Sequence, residues 1–440
     1  PLVPIGKFAV AFDLVLYFDA EGKVRSEGWD FSSATSIKNT LIDKIYYVKY
    51  GNPGEATYAR IGALNKVSLG YGILVNDYSN SMLYPQDRKI GVSFEKNYQS
   101  IKFKSFINDL KENAGLFGGR IQTSALIGLP LGITIVSDRN QYLGLKDSDN
   151  DGRPNIVDDF PNNNKWWLDS DGDGLSDYDP NEWDIDGDGI TDTLDSRIPG
   201  YVGDLFVLDE NILKKDEPIN VSEDSDGVMA IAFDLGYPLV KNKNYSITVY
   251  SQASQMLGKA INPETKKIKN LGIGIIPFGL ASQFGPLKFK FEYRMIPNGM
   301  FEFDYWNRLY EIERISFIKN NSNQVILRTK ESSLGKYGEQ KGYFSGASVN
   351  LGGLLQVNLS YNDMIGSLWS EDNSQFIERK NQSFISSLSL KKGFSRFKHA
   401  SAFYQQRNVP NPFKFEYSES TIIGYNLGIS MGQGLVLNYI

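Results

Sequence analysis

The sequence predicts an all-β protein: a transmembrane antiparallel β-barrel of about 16 strands, within about 14–18, with a calcium-binding loop insert. Three observations lead there. Large apolar residues alternate with polar or charged ones in segment after segment, the connections between segments alternate short and long, and one acidic stretch, Asp147 to Asp195, repeats DSDNDG, DSDGDG and DIDGDG.

At 440 residues the chain could hold two or three ordinary domains, yet large β-barrels reach this length as one. Hydrophobic residues make up 41% and aromatics 13%, too apolar for disorder, and the 42 glycines suit tight turns. No apolar run approaches the ~20 residues of a membrane-spanning helix, so a membrane would be crossed by strands. Zero cysteines exclude disulfides and thiolate metal sites. The chain starts at Pro1 without a basic-then-apolar leader, so it is expected to be mature or to lack its targeting signal. The net charge of −6 is uneven: residues 147–195 hold 16 Asp plus Glu against Arg153 and Lys165, while the rest is net basic. Without cations the acidic stretch repels itself.

Taken in order, Phe8, Val10, Phe12, Leu14, Leu16 and Phe18 share one face of a first strand. A short helix fits Ser36 to Lys44, and strands are expected at 45–50, 56–63 and 66–75, with GNPGE and a tight turn near Leu64-Asn65 between them. Runs at 90–95 and 99–107 meet at Lys96-Asn97-Tyr98, and 118–127 turns through GLP into 131–137. Beyond the insert, Met229, Ile231, Phe233 and Leu235 share a face, KNKN turns the chain, and a long loop is expected over about 252–270. The clearest strand places Leu287, Phe289, Phe291 and Tyr293 outward and Lys288, Lys290, Glu292 and Arg294 inward. A long loop over about 296–341 precedes a strand pair, 342–351 and 354–361, joined by Gly352-Gly353. A loop over 362–381 then leads to strands 382–390 and 395–404 around KKGF. The final run keeps Ile423, Tyr425, Leu427, Ile429, Met431, Leu435, Leu437 and Tyr439 in one phase and reads as one long strand, a hairpin at MGQG being the alternative.

With the C-terminus on the short-turn edge, KKGF, Gly352-Gly353, FGP, KNKN, GLP, KNY and Leu64-Asn65 fall on one edge and the long loops on the other. A soluble β-sandwich or β-helix also alternates, but segregated loops favour a barrel. In this the chain resembles bacterial outer-membrane β-barrel proteins, whose last strand commonly closes on an aromatic residue; here Gly434, Leu437 and Tyr439 carry the pattern, with a departure at Ile440. The resemblance implies an outer-membrane location, outer-membrane lipid around the barrel, and long loops, including the insert, that are extracellular.

Within the insert, Asp147, Asp149 and Asp151 take positions 1, 3 and 5 of a twelve-residue calcium loop, followed by Gly152, the Arg153 carbonyl, Asn155 and Asp158. The second loop has Asp169, Asp171, Asp173, the Leu175 carbonyl and Asp177. Its position 12 is Pro180, so Asp179 or a neighbouring loop must complete the shell. The third has Asp184, Asp186, Asp188, the Ile190 carbonyl, Asp192 and Asp195. Hard carboxylate oxygens at alternate positions select Ca²⁺. The loops follow too closely for EF-hand helices and resemble thrombospondin type-3 repeats over roughly 147–199, with Pro161, Pro180 and Pro199 after the loops. A solvated linker would not need this register. With Asp at position 12 and no helices, affinity is expected near ~10⁻⁴–10⁻³ M. Trp166, Trp167 and Trp183 either pack between loops or form a binding surface. The division is thus 1–146 and 200–440 for two parts of the barrel and 147–199 for the insert.

Catalysis has little support. His399 is the one histidine, cysteine is absent, and neither GxSxG nor a phosphate loop occurs, so the chain is expected not to be an enzyme. Glu311 and Glu313 read as loop carboxylates. Lys102, Lys104, Lys288, Lys290, Arg294, Arg396 and Lys398 give a basic interior, which favours anions if open and forms salt bridges if plugged. Nucleic acid is not an expected partner. Three roles follow: a barrel that passes small solutes or anchors a surface assembly, with surface or periplasmic protein partners; a closed-barrel adhesin or scaffold; and a secreted soluble calcium-binding β protein.

Overall fold

The computed structural model describes residues 2–12, 23, 37, 40, 44–84, 87–187, 189, 192, 214–242, 244–319, 324–418, 420–432 and 435–439. Its contacts divide the chain into two units, one of Pro1–Asp138, Val228–Ile312 and Glu331–Ile440, the other of Arg139–Gly227 and Glu313–Lys330.

Among the described residues the first unit forms an 18-stranded sheet. Its strands are β1 Leu2–Ile5, β2 Phe8–Phe12, β3 Ile45–Tyr50, β4 Thr57–Gly62, β5 Gly91–Tyr98, β6 Ile101–Ile107, β7 Leu116–Thr123, β8 Leu131–Asp138 and β9 Val228–Lys241. They continue as β10 Tyr245–Leu257, β11 Ile273–Phe284, β12 Leu287–Ile296, β13 Tyr337–Leu351, β14 Leu355–Ser370, β15 Gln375–Leu390, β16 Phe397–Val409, β17 Thr421–Gly432 and β18 Leu435–Tyr439. Each strand pairs antiparallel with the next in sequence, so the sheet is one long meander. Among the described residues no ladder joins β18 to β1.

The two faces of the sheet are chemically inverted relative to a water-soluble protein. On one face Ile121, Ile133, Phe233 and Tyr237 are exposed at 55%, 42%, 49% and 53%. On the other, Arg120, Thr134, Asp234, Gln252, Glu292 and Arg294 are buried. Alternation therefore works as expected in β12, where Glu292 and Arg294 point inward and Tyr293 does not.

Four expectations are corrected. The final run is a hairpin, with Leu427 opposite Tyr439 and Ile429 opposite Leu437. Its ladder sets odd positions opposite odd positions, so an unbroken phase does not distinguish a hairpin from one strand. The last strand accordingly runs from the short-turn edge toward the long-loop edge. Residues 66–75 are not a sheet strand: after the three-residue strand Asn65–Val67 the chain turns at Gly70 and Gly72 and buries Leu69, Ile73, Leu74 and Val75, and Leu64-Asn65 opens a long loop. Residues 362–381 are mostly strand, because β14 and β15 continue to a four-residue connection at 371–374. Strand β10 continues through residue 257, and the remainder of that loop carries the small ribbon Lys259–Ile261 with Ile268–Asn270. The expected helix at 36–44 and the first strand beyond Phe12 lie largely outside the described residues.

Candidate functional sites

Two long-edge segments, residues 63–84 and 299–311, fold back against the inward face of the sheet. Trp306–Asn307 pairs in parallel with Val75–Asn76, and the Trp306 amide donates to the Leu74 carbonyl at 3.0 Å. The wall holds this pair through charge and ring contacts. Tyr71 stacks on Tyr250 with centroids 4.0 Å apart, and the Tyr250 hydroxyl donates to Glu292 at 2.7 Å. Lys290 Nζ donates to the Tyr71 carbonyl at 2.6 Å and lies 2.7 Å from Glu292. Arg294 pairs with Glu292 at 2.7 Å and Asp304 at 3.3 Å, its guanidinium over Phe303 and Phe344. From further along the sheet, Arg407 of β16 pairs with Glu302 at 2.7 Å and Phe403 receives Arg308 at 5.4 Å. Arg120 and Asp234 form a bidentate pair, with the Arg120 guanidinium next to Gly70. Strands from β7 to β16 thus reach the same inserted segments, and the sheet wraps around them. Lys104 pairs with Glu95 at 2.8 Å, so three of the seven interior cations expected from sequence, Lys104, Lys290 and Arg294, are matched by carboxylates.

Near the short turns an open-sided chamber of about 440 Å³ is lined by Tyr71, Ser246, Thr248, Lys288 and Lys290 together with the apolar Phe289 and Leu359. Toward the long loops about 50 Å³ remains among Arg294, Asn362, Asn381 and Arg407, room for a few waters. At that end Lys89 is enclosed by Glu112 and Glu311, and the Tyr78 hydroxyl donates to Glu311. Glu311 is therefore an ionic tie in the interior, and Glu313, in the second unit, pairs with Lys330 at 2.8 Å. His399 contacts Asn426 at 2.8 Å across β16 and β17.

The second unit is the acidic module, and its three repeats use the same local chemistry. At position 1, Asp147 accepts from the amides of Asn150 (2.7 Å) and Gly152 (3.0 Å), and Asp169 accepts from Gly172 and Gly174 at the same distances. Asp184 accepts from Gly189 at 2.9 Å. Asp149 and Asp171 accept from the amides of Asp151 and Asp173, which in turn accept from Arg153 and Leu175. At position 9, Asn155, Asp177 and Asp192 each accept from the amide of position 2, at 2.8, 2.7 and 3.0 Å. Gly152, Gly174 and Gly189 have φ of 94°, 95° and 89°, a left-handed turn that a side chain would strain.

These bonds fold the first two loops so that their carboxylates converge. Oxygens of Asp147, Asp149 and Asp151 lie within 4.8 Å of one another, as do those of Asp169, Asp171 and Asp173. One Oδ2 oxygen each of Asp149, Asp151 and Asp158 is buried without a hydrogen-bond partner; for Asp151 the Arg153 guanidinium stands 3.7 Å away. Asp158, at position 12, is only 6% exposed. Burial, reinforced by Asp151 and Asp149, pushes its carboxyl up to about 6, and burial likewise raises Asp151. Converging hard acceptor oxygens, some of them buried without a hydrogen-bond partner, are of the kind that could hold a cation such as Ca²⁺.

In the second loop Asp179 accepts from the Asn181 amide at 2.9 Å, and Gly187 of the third loop abuts Asp171. Asp186 is described; Asp188, Ile190 and Asp195 lie outside the described residues. Sequence reasoning missed Glu182, whose Oε1 accepts from the Asp184 amide at 2.9 Å while Oε2 is buried without a partner. It also missed the hairpin of Ile315–Lys319 with Val325–Thr329, far away in sequence, which belongs to this unit. Gln324 beside that hairpin donates to the Asp216 carbonyl at 2.8 Å. Trp167 packs, with Arg153 over its ring at 3.7 Å and its indole donating to Glu217 at 3.0 Å, whereas Trp183 is 66% exposed.

The sequence matches no known protein family and no curated protein. In structure the chain is similar to outer-membrane porins. OprD of Pseudomonas aeruginosa has 8% identity and a TM-score of 0.33, covering 83% of this chain and 74% of OprD. OmpF of Salmonella typhi, solved with daunomycin, has 10% identity and a TM-score of 0.32, covering 85% of this chain and 96% of that one. OmpT of Vibrio cholerae has 7% identity and a TM-score of 0.29, covering 77% and 78%.

Proposed function

We propose that the chain is a bacterial outer-membrane β-barrel whose lumen is closed by its own loops and which anchors a calcium-stiffened module at the cell surface, where the module serves as a scaffold for protein partners. The observation that carries this reading is the inverted sheet. A soluble protein would hide side chains such as Phe233 and Tyr237, each gaining about 1.5–3 kcal/mol on leaving water, and would not bury Glu292 and Arg294 instead. Lipid around the outer face and ion pairs within resolve both. Among the described residues no helix is long and apolar enough to cross a membrane, and an even number of antiparallel strands is the rule for bacterial outer-membrane barrels. The occupied interior supports anchoring over free passage. The chamber beside Lys288 favours a second reading, passage of small anions, in which the inserted segments act as a constriction.

Conductance in planar bilayers tests the choice. Reconstituted protein is expected to insert into liposomes yet show no sustained open-channel current. Steady anion-selective current from the unmodified protein would establish the channel reading, and failure to insert into liposomes would remove both.

A further inference from the structure

While residues 63–84 and 299–311 turn inward, the connection between β16 and β17 turns the other way. Its short 3₁₀ turn, Pro412–Lys414, packs on the outer face of β15 and β16. Phe413 lies 5.2 Å from both Tyr361 and Phe384, and Phe415 lies 5.5 Å from Tyr404, measured between ring centroids. Tyr361 and Phe384 are directly opposite across β14 and β15, and Tyr404 is opposite Ile423, which is 72% exposed, so all three rings belong to the outward face. Gln406, also on this face, is buried beneath the flap and donates to the Glu416 carbonyl at 2.7 Å. Even so covered, the flap leaves Phe413, Phe415 and Tyr417 exposed at 50%, 62% and 89%.

The flap lies at a chemical boundary. Toward the short turns the outward face shows Leu359, Leu388 and Tyr425, all exposed; one step toward the long loops it shows Asp363 paired with Gln382 at 2.7 Å. That is the level at which a bilayer's hydrocarbon gives way to its polar layer. We infer that residues 411–417 are an interfacial anchor whose rings enter the lipid interface of the long-loop leaflet and fix the depth at which the barrel sits. Aromatic rings suit this layer, Lys414 and Glu416 keep the flap out of hydrocarbon, and its main chain is held by Gln406 and by Asn411, which accepts from the Phe413 amide at 3.0 Å. The inference rests on the membrane-barrel reading and adds to it a named lipid-binding element.

Because the chain has no cysteine, single-cysteine variants carry one probe each. Phe415→Cys, Tyr417→Cys and, as a reference within the apolar wall, Leu359→Cys are labelled with nitrobenzoxadiazole and reconstituted into phosphatidylcholine vesicles. The flap probes are expected to show blue-shifted emission and to lose fluorescence to a shallow nitroxide lipid but little to aqueous iodide, with Leu359→Cys responding to a deep nitroxide. If the flap probes respond to iodide alone while the reference stays in lipid, the anchor is overturned and the barrel stands. If the reference also responds to iodide, the barrel reading itself fails. Flap probes shielded from both quenchers mean that a second copy covers the rings, which also overturns the anchor.

Discussion

Glu292 and Asp158 are both buried carboxylates, at 0% and 6% exposure, yet they sit in opposite electrostatic surroundings. Around Glu292 the sheet supplies Lys290 and Arg294, each 2.7 Å away, and a tyrosine hydroxyl. Around Asp158 the module supplies Asp149 and Asp151, which raise its carboxyl further after burial has done so. The first site is complete within the chain. On the proposed reading the second is completed by a cation from outside, and this difference would separate a wall that holds itself together from a module that needs its surroundings.

The largest effect should come from breaking the complete site. Glu292→Gln leaves Lys290 and Arg294 without their shared anion and is expected to destabilise the barrel by about 3–5 kcal/mol, read as a lower denaturant midpoint in detergent micelles. Asp158→Asn should do the reverse in chelator, leaving the module as stable or more so, while weakening calcium binding about tenfold by calorimetry. An equal loss from both substitutions would erase the distinction drawn here.

Acidity sharpens the contrast. With Asp158 raised from 3.8 to about 6, the folded, calcium-free module binds a proton more tightly than the unfolded chain, so its stability should fall as pH rises through that window. With calcium bound the carboxylate is the stabilised form, and stability should rise over the same range. Melting curves at pH 5 and 7, with and without chelator, give the two signs.

Smaller effects follow. Tyr71→Ala removes the stack on Tyr250, worth about 0.5–1.5 kcal/mol, and is expected to produce brief channel openings in planar bilayers. Pro180→Glu gives the second loop the carboxylate missing at position 12 and should tighten its calcium affinity about threefold in the same titration.

Much of this was legible in the chain because a β-strand's two-residue period leaves its mark wherever the two faces meet different solvents. Leu287 to Arg294 reads correctly for that reason. Strands β14 and β15 were misread over 362–381, where Asn362, Asp363, Glu378, Arg379 and Lys380 are polar on both faces: the ladder continues there past the apolar wall, and the alternation disappears. Residues 66–75 erred in the opposite sense, since KVSLGYGILV is apolar enough for a wall strand but supplies buried packing inside the sheet. The final hairpin was hidden because its register sets Leu427 opposite Tyr439 and Ile429 opposite Leu437, so odd positions meet odd positions and the period does not reset. In the acidic stretch the positions of the carboxylates were legible from spacing alone, since each loop's bonds are local. Glu182 carried no register signal, and the Ile315–Lys319 ribbon lies too far along the chain for any local pattern to assign it to the module.

The most direct test of a module completed from outside is a calorimetric titration of the intact protein in detergent with Ca²⁺, alongside limited proteolysis of residues 147–192. Saturable binding of at least two ions is expected, matching the carboxylate groups at Asp147, Asp149 and Asp151 and at Asp169, Asp171 and Asp173, with cleavage appearing only in chelator. No binding heat, together with a cleavage rate that chelator leaves unchanged, would contradict it.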